Sequence, residues 1–306
     1  MRTLIVGGSG LLGSELARQC SQAGHEAVAT YLTRAGESAG VEWLPLDVRR
    51  RENIDELMSA FRPEAVINTA FRPEAVINTA FRPEAVINTA FRPEAVINTA
   101  FRQTDWTTTA TGAANVALAV SMAGGRLVHV SSDAVFSGAA IRYDETCVPD
   151  PISPYGAAKG AAETAVSAIA PTAVIARTSL IIGDGASPHE ALVRSLATGR
   201  ARGVLFTDDV RCPVHVADLA AALLELAASE YRGIHHVAGA DAVSRYELGL
   251  LIARRDGLDA DRLPSGRRAD TRLPGPVDVR LDCAMTQRRL QTELHGARQF
   301  LGDGQR

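Results

Sequence analysis

The sequence has no long apolar run, no paired cysteines and no excess charge of either sign. No segment approaches the ~20 apolar residues that a membrane-spanning helix needs, and the first apolar run, at residues 3–6, is too short for the core of a secretion signal. The expected location is cytoplasmic, with no membrane partner. The four cysteines (Cys20, Cys147, Cys212, Cys283) lie far apart with no C-x-x-C pair, which argues against both a disulfide framework and a metal site. His215, His235 and His236 stand on or beside strands and lack a third ligand at workable spacing, so no metal is expected. Lys plus Arg (32) nearly balances Asp plus Glu (35), and no basic tail or stripe invites nucleic acid. A fourth absence is local: no carboxylate ends the second strand.

What is present is a soluble-protein composition, 306 residues with 46% hydrophobic content, enough for a sizeable core. The first thirteen residues organise it. Thr3-Leu4-Ile5-Val6 is a short β-rich run. It gives way to Gly7-Gly8-Ser9-Gly10-Leu11-Leu12-Gly13, after which Leu12, Leu16 and Cys20 recur at helical spacing until Gly24. Strand, glycine turn and helix in this order suit a turn laid against a pyrophosphate. Gly7, Gly10 and Gly13 allow the sharp turn, the close approach of phosphate and the packing of helix on strand. The helix N-terminus offers N–H groups to the anion through Ser9, Leu11 and Leu12. The same turn could also serve only as a βα connection.

The second strand, residues 25–31, ends in Thr30-Tyr31, followed by Arg34. A missing acid and a nearby guanidinium favour a ribose 2′-phosphate, hence NADP(H) over NAD(H). Arg34 could equally be a solvated loop residue. A third strand over 41–46 precedes Asp47 and Val48. Asp47 is placed either to meet an adenine amino group or to cap the next helix, whose apolar face is Ile54, Leu57, Met58 and Phe61.

The decapeptide FRPEAVINTA then occurs four times without error, at 61–70, 71–80, 81–90 and 91–100. A period of ten fits no common solenoid. Removing thirty residues, three copies, from 306 leaves 276 and a conventional strand–helix alternation. One strand is needed here, but the copies are chemically equivalent and specify register poorly. The last copy, Glu94–Ala100, is the expected strand, because Thr99-Ala100-Phe101 keeps its link to Gln103-Thr104-Asp105-Trp106. The other copies could be extra strands, short helices or disorder.

A helix over 107–123, a strand over 126–132, a helix over 155–169 and a strand over 172–182 complete an α/β pattern, which implies a parallel doubly wound sheet. The remainder is more irregular. It reads as helices at 186–197 and 218–228, a capping box Ser244-x-x-Glu247 opening another helix, a loop over 257–276 and a last helix at 284–294. The expected division is 1–182, binding the dinucleotide, and 183–306, a smaller substrate lobe with segments that return to the sheet.

Tyr155-Gly-Ala-Ala-Lys159 places a phenol and an ammonium one helical turn apart. The lysine would lower the phenol's pKa and hold a ribose hydroxyl, while the phenol exchanges a proton with a carbonyl oxygen. Ser132, ending the preceding strand, would bond the same oxygen. Arg177 and Arg211 are candidates for gripping a diphosphate, with structural ion pairs as the alternative.

The chain resembles the extended short-chain dehydrogenases/reductases, and within them the dTDP-4-dehydrorhamnose reductase group. The resemblance rests on Gly7-x-x-Gly10-x-x-Gly13, Val66-Ile67-Asn68-Thr69-Ala70 and its copies, Leu127 to Phe136, Tyr143-x-Glu145, Tyr155-x-x-x-Lys159, Arg177-Thr-Ser179 and Pro213-x-His215-Val-x-Asp218. It implies a Rossmann domain with a small substrate domain, NADPH as cofactor and reduction of a nucleotide sugar's 4-keto group. Ser132, Tyr155 and Lys159 fall on the catalytic positions, Asp133 among the substrate-side residues, and the chain is expected as a monomer or homodimer. Departures lie where substrate is read: Thr109 where the family often has Asn, Ala134 and Ser137 in place of a Tyr and an Asp, and Leu180 in place of a Trp. Arg211 before Pro213 resembles a branch that includes a non-catalytic regulatory subunit of methionine adenosyltransferase, so a non-catalytic NADP-binding subunit is the alternative.

Overall fold

A computed structural model describes residues 1–47, 51–70, 94–271 and 275–302. The chain divides into two compact units that interleave in sequence. Unit 1 comprises Met1–Ser131, Ala157–Ala176 and Ala220–Ile234; unit 2 comprises Ser132–Gly156, Arg177–Leu219 and His235–Arg306.

Unit 1 is built on an eight-stranded sheet. Its strands are β1 (Arg2–Val6), β2 (Glu26–Tyr31), β3 (Val41–Pro45), β4 (Ala65–Asn68), β5 (Ala95–Asn98), β6 (Arg126–Ser132), β7 (Val174–Thr178) and β8 (Gly233–His236), the last three ending in unit 2 residues. The order across the sheet is β8-β7-β6-β5-β4-β1-β2-β3. Every pairing from β3 through β2, β1, β4 and β5 to β6 is parallel. This is a Rossmann-like sheet, and parallel strands covered on both faces read as unbroken apolar runs rather than alternating ones. The four residues of β1 from Thr3 to Val6 are all buried.

Helices α1 (Leu11–Gln22), α2 (Arg51–Phe61), α3 (Gly112–Ala123) and α4 (Pro154–Ile169) cover the sheet. One core layer joins Leu4, Val6, Val28, Val66, Val96 and Leu127 to Val116, Ala117 and Val120 of α3 and to Ala162 and Val166 of α4. The small residues that make α3 and α4 alanine-rich let them lie close on the strands. A π-type turn, Thr107–Thr111, precedes α3. There the buried Thr109 hydroxyl donates to Arg102 O (2.8 Å) and accepts from Arg102 N (2.9 Å), tying the stretch after β5 to the helix.

Among the described residues, the repeat contributes two strands to the sheet. The last copy supplies β5, as expected, and the first copy supplies β4 beside it. The two pair in register, Ala65 on Ala95 through Asn68 on Asn98. Identical segments in register place each side chain beside its own kind, so Asn68 Nδ2 donates to Asn98 Oδ1 at 3.2 Å inside the sheet. Residues 71–93, which hold the two middle copies, lie outside the described residues, as does Val48.

Unit 2 packs around two apolar clusters, one holding Ile182, Val193, Leu196, Leu205, Leu248 and Ile252, the other Val135, Phe136, Tyr143, Ala238 and Val279. Its helices Pro188–Ala197 and Arg245–Arg255 both open on full capping boxes, Ser187 with Glu190 and Ser244 with Glu247. The last helix is shorter than the sequence predicts: Ala284–Gln287 is helical, and a separate turn follows at Ala297–Phe300. The Gln287 side chain bonds Thr292 O and Leu294 N instead, which holds the chain there in a loop. No helix among the described residues is long and apolar enough to cross a membrane.

Candidate functional site

In unit 1, β1 runs into the glycine turn and α1. Gly7 has φ +78°, and a Cβ on it would sit 2.6 Å from the Ala70 Cα. A Cβ on Gly13 would meet Thr69 Oγ1 at 2.5 Å and Gly7 O at 2.7 Å. The chain's own packing therefore demands glycine at both positions. Gly10 differs. A Cβ there meets only Gly7 O at 3.6 Å, an ordinary contact, and the backbone is extended (φ −78°, ψ 166°). The fold leaves room for a side chain at this exposed point, whereas an anion lying on the helix N-terminus would fill that room. Gly10 is also the N-cap of α1, and no side chain caps that end, so its first N–H groups suit a phosphate.

The surrounding strand ends carry the other expected cofactor residues. Thr30 accepts from Gly7 N (3.1 Å), with Tyr31 half-buried beside it. Arg34 lies in the loop after β2, exposed and paired with Glu37 at 3.1 Å. A surface pair of this kind is weak and readily exchanged for a phosphate. Asp47 stands just past the end of β3. One expectation needs correction: the copy against the glycine turn is the first, not the last. Thr69 Oγ1 donates to Val6 O and Gly7 O (3.0 and 2.9 Å), while Thr99 Oγ1 donates to Asn68 O (3.1 Å), one strand further out. Thr99 therefore stands next to β4, and Phe101 lies against Lys159, not next to the turn.

Lys159, on α4, also belongs to unit 1. It is 1% exposed, donates to Val130 O of β6 (2.8 Å) and lies over the Phe101 ring, 5.3 Å from its centre. Burial lowers its pKa to about 8, and Glu163 opposes the shift. His129, buried beside it on β6, is held well below its ordinary range by burial and then by the Lys159 charge, so it stays neutral. Ser131 Oγ donates to Glu163 (2.5 Å), fixing α4 to β6.

The low lysine pKa has a consequence for stability. An unfolded lysine keeps its proton up to its ordinary pKa of 10.5. Between about pH 8 and that value the unfolded chain holds a proton that the folded chain has lost, so raising the pH favours folding. Relative to Lys159→Met, the wild-type unfolding free energy is expected to gain on the order of 3 kcal/mol over this window. Denaturant titrations of both proteins at pH 7.5 and 10.5 measure it, and a pH-independent difference would count against the buried charge.

In unit 2, Ser132 and Tyr155 share a side-chain hydrogen bond. Ser132 Oγ also donates to Asp133 Oδ1 (3.2 Å) and accepts from Ala134 N (3.2 Å). Gly156 lets α4 press against the chain here, because a Cβ on it would fall 2.0 Å from Ala134 O. The Tyr155 pKa is raised, chiefly by burial, with the Ser132 bond lowering it and the Asp133 charge adding to the rise. This is opposite to the lowering expected from a nearby lysine: burial, which disfavours the phenolate, is the largest cause.

Asp133, Arg177 and Arg211 are used inside unit 2. Asp133 is buried, accepts from Ser179 Oγ (2.6 Å) and lies 3.6 Å from Arg211 Nε. Arg211 further donates to Val210 O, Val277 O and Pro276 O and pairs with Asp209 at 3.0 Å. Arg177 is 0% exposed, donates to Cys147 O (3.1 Å) and lies over the Phe136 ring. The two arginines thus take the structural alternative, and Asp133 braces Ser132. Asp209 is a residue that sequence reasoning gave no role. It gathers Arg211, Arg245 and Arg268 around one buried carboxylate, and two of those partners lie more than thirty residues away in sequence.

A family model described as the RmlD substrate binding domain matches residues 1–76 and 72–303. The dTDP-4-dehydrorhamnose reductase of Mycobacterium tuberculosis is 35% identical over 178 residues, covering 56% of this chain and 59% of that protein. The chain thus spans about three-fifths of that relative's length. A crystal structure described as a hypothetical dTDP-4-dehydrorhamnose reductase from Sulfolobus tokodaii matches with a TM-score of 0.69 at 28% identity, covering 96% of this chain and 97% of that one. The fold is also that of a Bacillus anthracis dTDP-4-dehydrorhamnose reductase in complex with NADP, with a TM-score of 0.70 at 21% identity, covering 98% and 96%.

Proposed function

This chain belongs to the RmlD substrate binding domain family, and from that premise we propose that it reduces the keto group of a nucleotide-linked deoxysugar with NADPH. The observation that carries the reading is the Ser132–Tyr155 hydrogen bond, one helical turn before a buried Lys159. A binding module has no use for a phenol held in this way, and carbonyl reduction needs such a proton donor.

The residues present fit the cofactor at the glycine turn, where Gly10 leaves space that the fold itself does not require. There the N-terminus of α1 would hold the pyrophosphate, Asp47 would meet the adenine, and Arg34 would exchange Glu37 for a 2′-phosphate. When bound, NADPH supplies the hydride. The rest falls to the side chains. Tyr155, whose raised pKa keeps it protonated at neutral pH, gives its proton to the carbonyl oxygen as that oxygen becomes an alkoxide. Ser132, held by Asp133, would turn its hydroxyl proton from that carboxylate to orient the same oxygen. Lys159, mostly protonated below about pH 8, keeps a positive charge on the helix that carries Tyr155.

Gly10→Val tests the cofactor assignment apart from the fold. The branched side chain fits the extended backbone, so the melting temperature is expected to be unchanged, while NADPH affinity falls at least about tenfold, a loss of roughly 1.4 kcal/mol. Fluorescence titration with NADPH measures this. Undiminished binding would remove the pyrophosphate from the α1 terminus.

A further inference from the structure

Strand β5 separates two groups that the proposed reaction must bring to one dinucleotide. Everything concerned lies in unit 1. The glycine turn is fixed to β4: Ala70 lies against Gly7, and Thr69 bonds Val6 O and Gly7 O. Lys159 is fixed to β6 through Val130 O. Between β1 and β6 stand two strands, β4 and β5, of identical sequence.

The two copies divide the contacts that one strand could make. The first pairs its inner edge with β1, Thr3 on Ala65. The last pairs its outer edge with β6, Ala95 on Arg126, and its Asn98 Nδ2 lies 3.4 Å from His129 Nδ1. A single copy has both edges. It could accept the β1 and β6 registers together, because Ala65 and Ala95 are the same position of the decapeptide. Nothing in the sheet needs the second strand. It fits because an identical segment repeats the same hydrogen-bond ladder and the same buried face. The family pattern also breaks here, since its two matched segments, 1–76 and 72–303, overlap within the second copy.

Each parallel neighbour adds about 4.8 Å across a sheet. The turn and the lysine are therefore separated by roughly three strand spacings rather than two, about 14 Å instead of about 10 Å. A dinucleotide anchored at the turn has a fixed reach. We propose that β5 is an intercalated strand that lengthens the cofactor cradle by one strand spacing. The four-copy chain then holds NADPH at the glycine turn without engaging Lys159, and a one-copy chain restores the match. This inference rests on the reductase reading above, and its test separates the two.

The test compares the full chain with a chain lacking residues 71–100, each with and without Lys159→Met. NADPH affinity is measured by fluorescence titration and keto-sugar reduction by NADPH absorbance. In the full chain, Lys159→Met should leave NADPH affinity unchanged, whereas in the shortened chain it should weaken it. The shortened chain should also turn over at least about 100-fold faster, given the cost of misplacing reacting groups by even 1 Å. Weakened NADPH binding by Lys159→Met in the full chain, or equal measurable turnover by the two lengths, would overturn the proposal. If the shortened chain does not fold, the full-chain binding comparison decides alone. If both lengths bind NADPH and neither reduces any keto sugar, the reductase reading fails, and the Lys159→Met binding pair still decides the spacing.

Discussion

Replacing Tyr155 by Phe is expected to cut keto-sugar reduction by about 10²–10⁴-fold, the usual contribution of a positioned general acid, in whichever repeat length turnover is measured. The phenyl ring keeps its packing, and only the hydroxyl shared with Ser132 is lost. NADPH affinity and melting temperature should stay at wild-type values. The reason lies in the proton's path. Reduction leaves negative charge on the substrate oxygen, and the phenol is the group of this site that holds a proton over the whole neutral range, since burial keeps its pKa raised. Ser132 donates to Asp133, so it orients rather than supplies. Steady-state rates with matched NADPH titrations check this. Full turnover by the Phe variant would remove Tyr155 from the chemistry.

Asp209→Asn is expected to be the most destabilising single change in unit 2. Asp209 is 1% exposed, with Arg268 Nη1 at 2.8 Å, Arg211 Nη1 at 3.0 Å and Arg245 Nε at 3.5 Å. Removing its charge leaves three guanidinium groups crowded together, Arg211 alone keeping Asp133 at 3.6 Å. Breaking a buried pair costs about 3–5 kcal/mol, because the uncompensated charge stays buried. The expected drop in melting temperature is on the order of 10 °C. Calorimetry of the variant measures it. A loss under about 1 kcal/mol would show the cluster to be as solvent-screened as a surface pair. Because Arg211 also flanks Asp133, which braces Ser132, turnover should fall along with stability.

Much of this site was legible in the chain. The glycine turn is written in local chemistry: an apolar run, glycines at a spacing of three, then helical periodicity. Strand 126–132 and its terminal Ser132 were readable because the apolar run turns polar only at its end. Tyr155 and Lys159 needed only helical spacing. What escaped was whatever depends on burial or on choice between equals. Arg177 and Arg211 read either as ligand-grasping or as structural arginines, and the fold turns both inward, onto Phe136 and Asp209. The direction of the Tyr155 shift followed from desolvation, which no spacing reveals. The repeat could not be resolved from sequence because its copies differ in nothing. The choice between first and last copy for the sheet was between segments with the same ladder, and both entered it, side by side.

The reductase reading is tested most directly by following the hydride. NADPH carrying deuterium at the transferable C4 position is incubated with a dTDP-linked 4-keto-6-deoxysugar and either the full chain or the chain lacking residues 71–100. The account predicts deuterium on the former carbonyl carbon of the sugar, formed faster by the shorter chain and abolished by Tyr155→Phe. Tight NADPH binding by both chains, with no label reaching any keto-sugar nucleotide tried, would contradict it and leave a dinucleotide-binding subunit without turnover.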